Sequence, residues 1–145
     1  MKIIIEPPND GEEEKVIFKC RELSSELMQL IAKINTEQQM LTGYDKERIY
    51  RVQPSEVYYF EAVENRTYMY CKNNVYEIKQ KLYQLEETFS KSDFLRVSKS
   101  VILNISQILS MSPAFNGRFE VQLNNGEKVI ISRQYVSDFK RKLEI

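Results

Sequence analysis

The chain has 145 residues, 42% of them hydrophobic and 29% charged, with only 4 Gly and 4 Pro. That is one ordinary globular domain with room for a small appended unit, and it excludes disorder as the main state. Histidine is absent, which excludes Ser-His-Asp and Cys-His nucleophilic devices, His-ligated zinc or haem, and a histidine pH switch.

Charge balances at 21 basic and 21 acidic residues, but unevenly. Residues 1–45 carry 5 basic and 9 acidic side chains, net −4, which leaves 16 − 12 = +4 for residues 46–145. Cys20 and Cys71 lie outside any C-x-x-C spacing and read as small hydrophobes in a reducing cytoplasm, not as a metal site or a disulfide. The three isoleucines Ile3-Ile4-Ile5 fall short of the roughly 7–15 apolar residues of a signal peptide. No later run approaches the ~20 needed to span a bilayer. The expectation is a soluble cytoplasmic protein without cofactor or metal.

Taken in order, Lys15–Cys20 predicts a short strand. Leu23, Leu27, Leu30, Ile31 and Ile34 then follow at helical spacing, with Ser24 as N-cap and Leu23 and Met28 placed as a hydrophobic staple. One strand and one helix cannot bury themselves, so this β-α unit, residues 1–45, must dock on the rest of the chain or on a partner. From residue 46 the pattern becomes β. Runs at 48–52, 56–63, 66–72 and 75–78 are rich in β-branched and aromatic residues and are separated by turn formers. A helix marked by Leu82, Leu85 and Phe89 interrupts them. Phe94–Val97 comes next, then strands around Ile108–Met111 and Phe119–Asn124, and a last strand at Glu127–Ile131. Asn116-Gly117 and Asn125-Gly126 predict type I′ hairpin turns. Ser132 predicts the cap of a final helix that buries Tyr135 or Val136, Phe139 and Leu143, with Lys140, Arg141 and Lys142 complementing the dipole at its end.

The segment Phe94-Leu95-Arg96-Val97-Ser98-Lys99-Ser100-Val101-Ile102-Leu103-Asn104, followed by Ile108, Asn116-Gly117, Val121-Gln122-Leu123, Asn125-Gly126 and Ser132-Arg133-Gln134-Tyr135, resembles the LytTR DNA-binding domain of bacterial transcription regulators. Val57–Ala62 resembles the family's strand ending in an acid. The resemblance covers about residues 46–145. It implies a mainly β (α+β) fold, an elongated arrangement of antiparallel strands in small stacked sheets with short helices. It also implies loops that enter successive major grooves, without a recognition helix. Family members often bind paired direct repeats as two protomers. Base contacts, carried over position by position, fall on Asn65, Arg66 and Thr67, on Lys99 with its neighbours Ser98 and Ser100, and on Arg133; Lys72 is a phosphate contact at most.

The residue chemistry agrees with this assignment. An arginine fork suits guanine O6/N7, an amide suits adenine, and hydroxyls and ammonium suit phosphate or base. Ser98 stands where the family usually has histidine, so an imidazole contact is not expected. Only about 45 residues precede the pattern, which implies a compact member without a receiver domain. Its first 45 residues would offer a surface for dimerisation or for a membrane-bound regulatory partner. Two other readings compete. One is a protein-interaction module on an aromatic β-surface of Tyr58, Tyr68, Tyr70 and Tyr76. The other is an enzyme, for which Glu61, Glu64 and Asp138 would be the carboxylates, though no motif pairs them and no small-molecule substrate is expected.

Overall fold

The structure, a computed structural model, describes residues 2–145, the side chains at 35–38 excepted. Among these, the strands are β1 (Leu41–Asp45), β2 (Arg48–Val52), β3 (Val57–Val63), β4 (Arg66–Cys71), β5 (Val75–Ile78), β6 (Phe94–Arg96), β7 (Val101–Asn104), β8 (Ile108–Pro113), β9 (Phe119–Leu123) and β10 (Lys128–Ile131). The helices are α1 (Ser25–Gln38), α2 (Leu82–Thr88) and α3 (Val136–Leu143). Seven strands form one sheet in the order β2-β1-β5-β4-β3-β7-β6, and three form a second in the order β10-β9-β8. All pairings are antiparallel.

Two apolar cores lie on opposite faces of the larger sheet. On one face Val57, Phe60, Met69, Ile78 and Ile102 pack against Leu82 and Leu85 of α2, against Phe89 at its C-cap and against Phe94. Three rings form its centre, with centroids 4.8 Å apart for Phe89 and Phe94 and 5.3 Å for Phe60 and Phe94. On the other face Tyr58, Val101 and Leu103 meet Val121, Leu123, Val129 and Ile131 of the small sheet and Phe139 of α3. A bulge between Val57 and Tyr59 shifts the alternation of β3, so that Val57 and Phe60 share one core while Tyr58 and Tyr59 turn to the other. Because β7 is covered on both faces, all four of its residues are buried. Buried Asn104 at its end donates from Nδ2 to the Val57 carbonyl (2.8 Å) and accepts from the Ser106 N–H and hydroxyl. One side chain thus ties β7, β3 and the 3-10 turn before β8 together.

Ser24 caps α1 as the sequence predicts, its Oγ accepting from the Leu27 N–H at 3.1 Å. Leu27 is buried, and Lys33 on the same helix forms an ion pair with Asp93 at 3.5 Å, so the helix docks on its own chain. Other expectations are corrected. Lys15–Cys20 is not a strand: it forms no ladder with any described segment. The staple residues Leu23 and Met28 are both exposed. The large sheet also takes in residues before 46, since β1 begins at Leu41 and pairs with β2. Gly43 on β1 is needed for this packing: a Cβ there would stand 2.6 Å from the Cβ of Tyr76 on β5. Asn116 and Gly117 both have positive φ, whereas at the other hairpin only Gly126 does. With its Gly126 N–H bonded to Leu123 O, that second hairpin is a type I turn closed by a glycine bulge.

Candidate nucleic-acid interface

Antiparallel pairing brings the tip of the β3–β4 hairpin and the loop between β6 and β7 to the same end of the large sheet. Val63 pairs with Arg66, leaving Glu64 and Asn65 as a two-residue turn with both φ positive, the type I′ geometry. The Asn65 carbonyl accepts from Lys81 Nζ at 2.8 Å, and the Asn65 side chain is exposed. Beyond the Glu61–Val101 pair, the Ala62 N–H donates to the Ser100 carbonyl at 2.8 Å, which sets the 98–100 loop beside this tip. Arg133 arrives from the other sheet. At the end of β10 the Ser132 N–H donates to the Val97 carbonyl at 2.9 Å, joining the two sheets immediately before Ser98. Asn65, Lys99 and Arg133 are all exposed, and these backbone links bring their three segments to one end of the fold.

The loop carrying Lys99 is shaped by Arg96. Its Nε donates to the Ser98 carbonyl at 2.7 Å, its guanidinium also holds the Lys99 carbonyl, and Nη1 pairs with Glu86 of α2 at 2.8 Å. Both carbonyls are drawn inward, and the Lys99 side chain is left exposed. Ser98 is half-buried, its Oγ accepting from the Ser100 N–H at 3.2 Å. The two serines therefore shape the loop around Lys99. Sequence reasoning treated Arg96 only as part of a pattern. Its signal was its position two residues before the loop whose carbonyls it binds.

Arg133 does not sit at the start of an α-helix. Ser132 makes no side-chain cap; Arg133–Tyr135 is a 3-10 turn, closed by the Tyr135 N–H on the Ser132 carbonyl, and α3 begins only at Val136. The stem of Arg133 lies over Gly117, where an added Cβ would be 3.1 Å from its Cδ. The β8–β9 hairpin tip therefore belongs to this end as well. An open groove of about 660 Å³ is lined there by Asn116, Arg118, Ile130, Ser132, Arg133 and Gln134, two arginines and no acid. The sequence carries no signal for Arg118, and Asn116 reads there only as half of a turn pair. Among the described residues, Lys99, Arg118 and Arg133 form no salt bridge.

Two expected contacts are not at this surface. Thr67 is buried at 3% exposure, because it follows Arg66 inward along β4. Lys72 follows the far end of β4, six residues from Arg66, which at ~3.3 Å per residue is roughly 20 Å away. Arg66 is exposed, with Glu77 on β5 3.8 Å from its guanidinium. The basic cluster of α3 is engaged locally: Lys140 lies 5.1 Å above the Phe119 ring and Arg141 pairs with Asp138 at 3.3 Å. The aromatic surface of the interaction-module reading is largely absorbed into packing. Tyr58 is in the core, Tyr70 stacks on Tyr59 at 4.3 Å and donates to Glu61, and Tyr76 packs on Tyr50 at 4.9 Å.

Two antiparallel sheets present exposed loops carrying Asn65, Lys99 and Arg133 at one end. The LytTr DNA-binding domain model matches residues 47–144, and the chain belongs to that family. The sensory transduction protein LytT of Enterococcus faecalis is 31% identical over 136 residues, covering 91% of this chain and 56% of that protein. LytT of Bacillus anthracis is 28% identical over 114 residues, 79% of this chain and 46% of that protein, so the chain spans about half the length of these relatives. An uncharacterized HTH-type transcriptional regulator of Staphylococcus aureus is 29% identical over 105 residues, 72% of this chain and 71% of that protein. Among solved structures, a LytTr DNA-binding domain from a Bacillus cereus protein described as a methyl-accepting/DNA response regulator superposes with a TM-score of 0.71. It has 28% identity and covers 74% of this chain and 99% of that domain. No helix among the described residues is long and apolar enough to cross a membrane.

Proposed function

We propose that this chain is a sequence-specific DNA-binding transcription regulator that reads duplex grooves through loops. Asn65 and Arg66 on one hairpin tip, Lys99 on the Arg96-held loop and Arg133 over Gly117 would be its contacts. The observation that carries this reading is the pair of backbone hydrogen bonds, Ala62 to Ser100 and Ser132 to Val97. Through them three segments far apart in sequence meet at one end, each with an exposed side chain able to reach a base edge or phosphate. Ser98 and Ser100 act by shaping the Lys99 loop. Paired direct-repeat sites occupied by two protomers complete the proposal, because one such end spans only a short stretch of duplex.

A duplex titration at increasing salt tests it. The affinity should fall with a log–log slope of about −0.9 for each phosphate neutralised. Arg133→Ala should lower discrimination between a specific and a random duplex by about 1–3 kcal/mol, the worth of one bidentate base contact. A flat salt response, or full discrimination retained by that variant, refutes the reading.

A further inference from the structure

Residues 2–20 form two arms without helix or strand, joined by a turn at Pro8-Asn9-Asp10-Gly11. Gly11 has φ +83°, and the Glu12 N–H donates to the Asn9 carbonyl at 3.0 Å. Among the described residues, that is the one backbone–backbone hydrogen bond within the arms; the Asn9 N–H donates to the Glu12 carboxylate at 3.2 Å, and the two arms face each other across an open cleft without forming a ladder. The side chains are apolar and uncovered: Ile3, Ile4 and Ile5 are 83%, 68% and 91% exposed, and Val16 and Ile17 68% and 64%. A β-patterned segment with an unpaired backbone and exposed isoleucines is a template for strand pairing.

The charge order in the first arm selects the occupant. Lys2-Ile3-Ile4-Ile5-Glu6 is complementary to itself when run antiparallel. With Ile4 opposite Ile4, Ile3 faces Ile5 on each side and the ends become two Lys2–Glu6 pairs. A two-fold axis requires this reciprocity, since residue i must meet j while j meets i. The second arm lacks this property: about Val16, Lys15 would fall opposite Ile17 and Glu14 opposite Phe18. Cross-strand pairs of opposite charge and of β-branched residues are the arrangement that stabilises a ladder. Leu23 and, on α1, Met28 and Leu30 are exposed as well. We infer that residues 2–20 are a dimerisation arm whose partner is the same arm of a second copy, paired antiparallel about Ile4. The arm carries none of the residues proposed to touch DNA, so this dimer forms in the absence of DNA.

The solution mass of the full chain without DNA, followed from micromolar to submillimolar concentration, tests the inference. The chain should be dimeric. Lys2→Glu or Glu6→Lys alone sets like charges opposite each other twice across the axis and should raise the dimer dissociation constant at least about tenfold. The double variant Lys2→Glu/Glu6→Lys restores both pairs in reverse and should restore the dimer, while far-UV circular dichroism stays unchanged in all three. A monomer at every concentration, a dimer indifferent to the single changes, or a double variant no better than the singles overturns it. Duplex affinity of the dissociated variants separates this from the DNA-binding reading: a failed arm leaves single-site binding intact.

Discussion

Arg96 and Asn104 show how single side chains set the shape of this protein without touching a ligand. Arg96 spreads one guanidinium over two loop carbonyls and the Glu86 carboxylate, a fork that an ammonium on a flexible stem cannot reproduce. Arg96→Lys should therefore weaken specific duplex binding to the level of Lys99→Ala, measured by titration, while the fold is retained. Wild-type affinity in that variant would show that the loop needs no clamp. Asn104 is 2% exposed and satisfies the Val57 carbonyl and the Ser106 N–H. Asn104→Ala would orphan both groups. A loss of about 1–3 kcal/mol should appear in the urea unfolding midpoint, whereas a neutral change would mean that water replaces the amide without cost.

The β8–β9 hairpin links stability to the site at the level of an element. Its three-residue tip places Gly117 at φ +72° directly under the stem of Arg133. An L side chain in that region costs about 1–2 kcal/mol, and the new methyl would push the Arg133 stem outward. Gly117→Ala should lower the thermal midpoint and also reduce duplex discrimination. Added to Arg133→Ala, it should still lower the midpoint but cost no further discrimination, because the side chain it displaces is gone. A discrimination loss that persisted in the double variant would place the hairpin's effect on DNA elsewhere than through Arg133.

Across the whole molecule, the two cores leave few titratable groups buried, and those respond to alkali. Burial, with Glu56 nearby, pushes the Cys71 thiol from 9.0 up to about 11. Burial, aided by the Glu127 hydrogen bond, holds Tyr59 well above the usual phenol value of 10.0, and burial with Glu61 raises Tyr70. In each case the folded value exceeds the unfolded one, so the neutral group's contribution is complete below the unfolded value and is lost as pH rises through the folded one. Stability should hold up to pH 9, fall from there towards pH 11, and fall more steeply above pH 10 when the tyrosines join. Urea midpoints across pH 8–11 check this. Cys71→Ser should flatten the part below pH 10, and an unchanged curve would relieve Cys71 of the effect.

The sequence by itself determined the class of fold and most of its elements. Period-2 alternation at Phe119–Leu123, the Leu82, Leu85 and Phe89 spacing, the Ser24 cap and the two Asn-Gly pairs are local signals, and local backbone preference is enough to read them. Where elements escaped notice, the cause lies in packing. β1 carries turn-like Thr42-Gly43-Tyr44 and becomes a strand only because β2 and β5 flank it; β7 shows no alternation because both its faces are buried; Lys15–Cys20 has strand-like residues but joins no ladder. The named loops carrying Asn65, Lys99 and Arg133 were legible as positions. Their meeting at one end, the withdrawal of Thr67 into the core, the displacement of Lys72 to the far end and the Arg96 clamp were decided by tertiary structure alone. Such relations depend on strand register and on which sheet face each chain segment covers, and those are settled by contacts between residues distant along the chain.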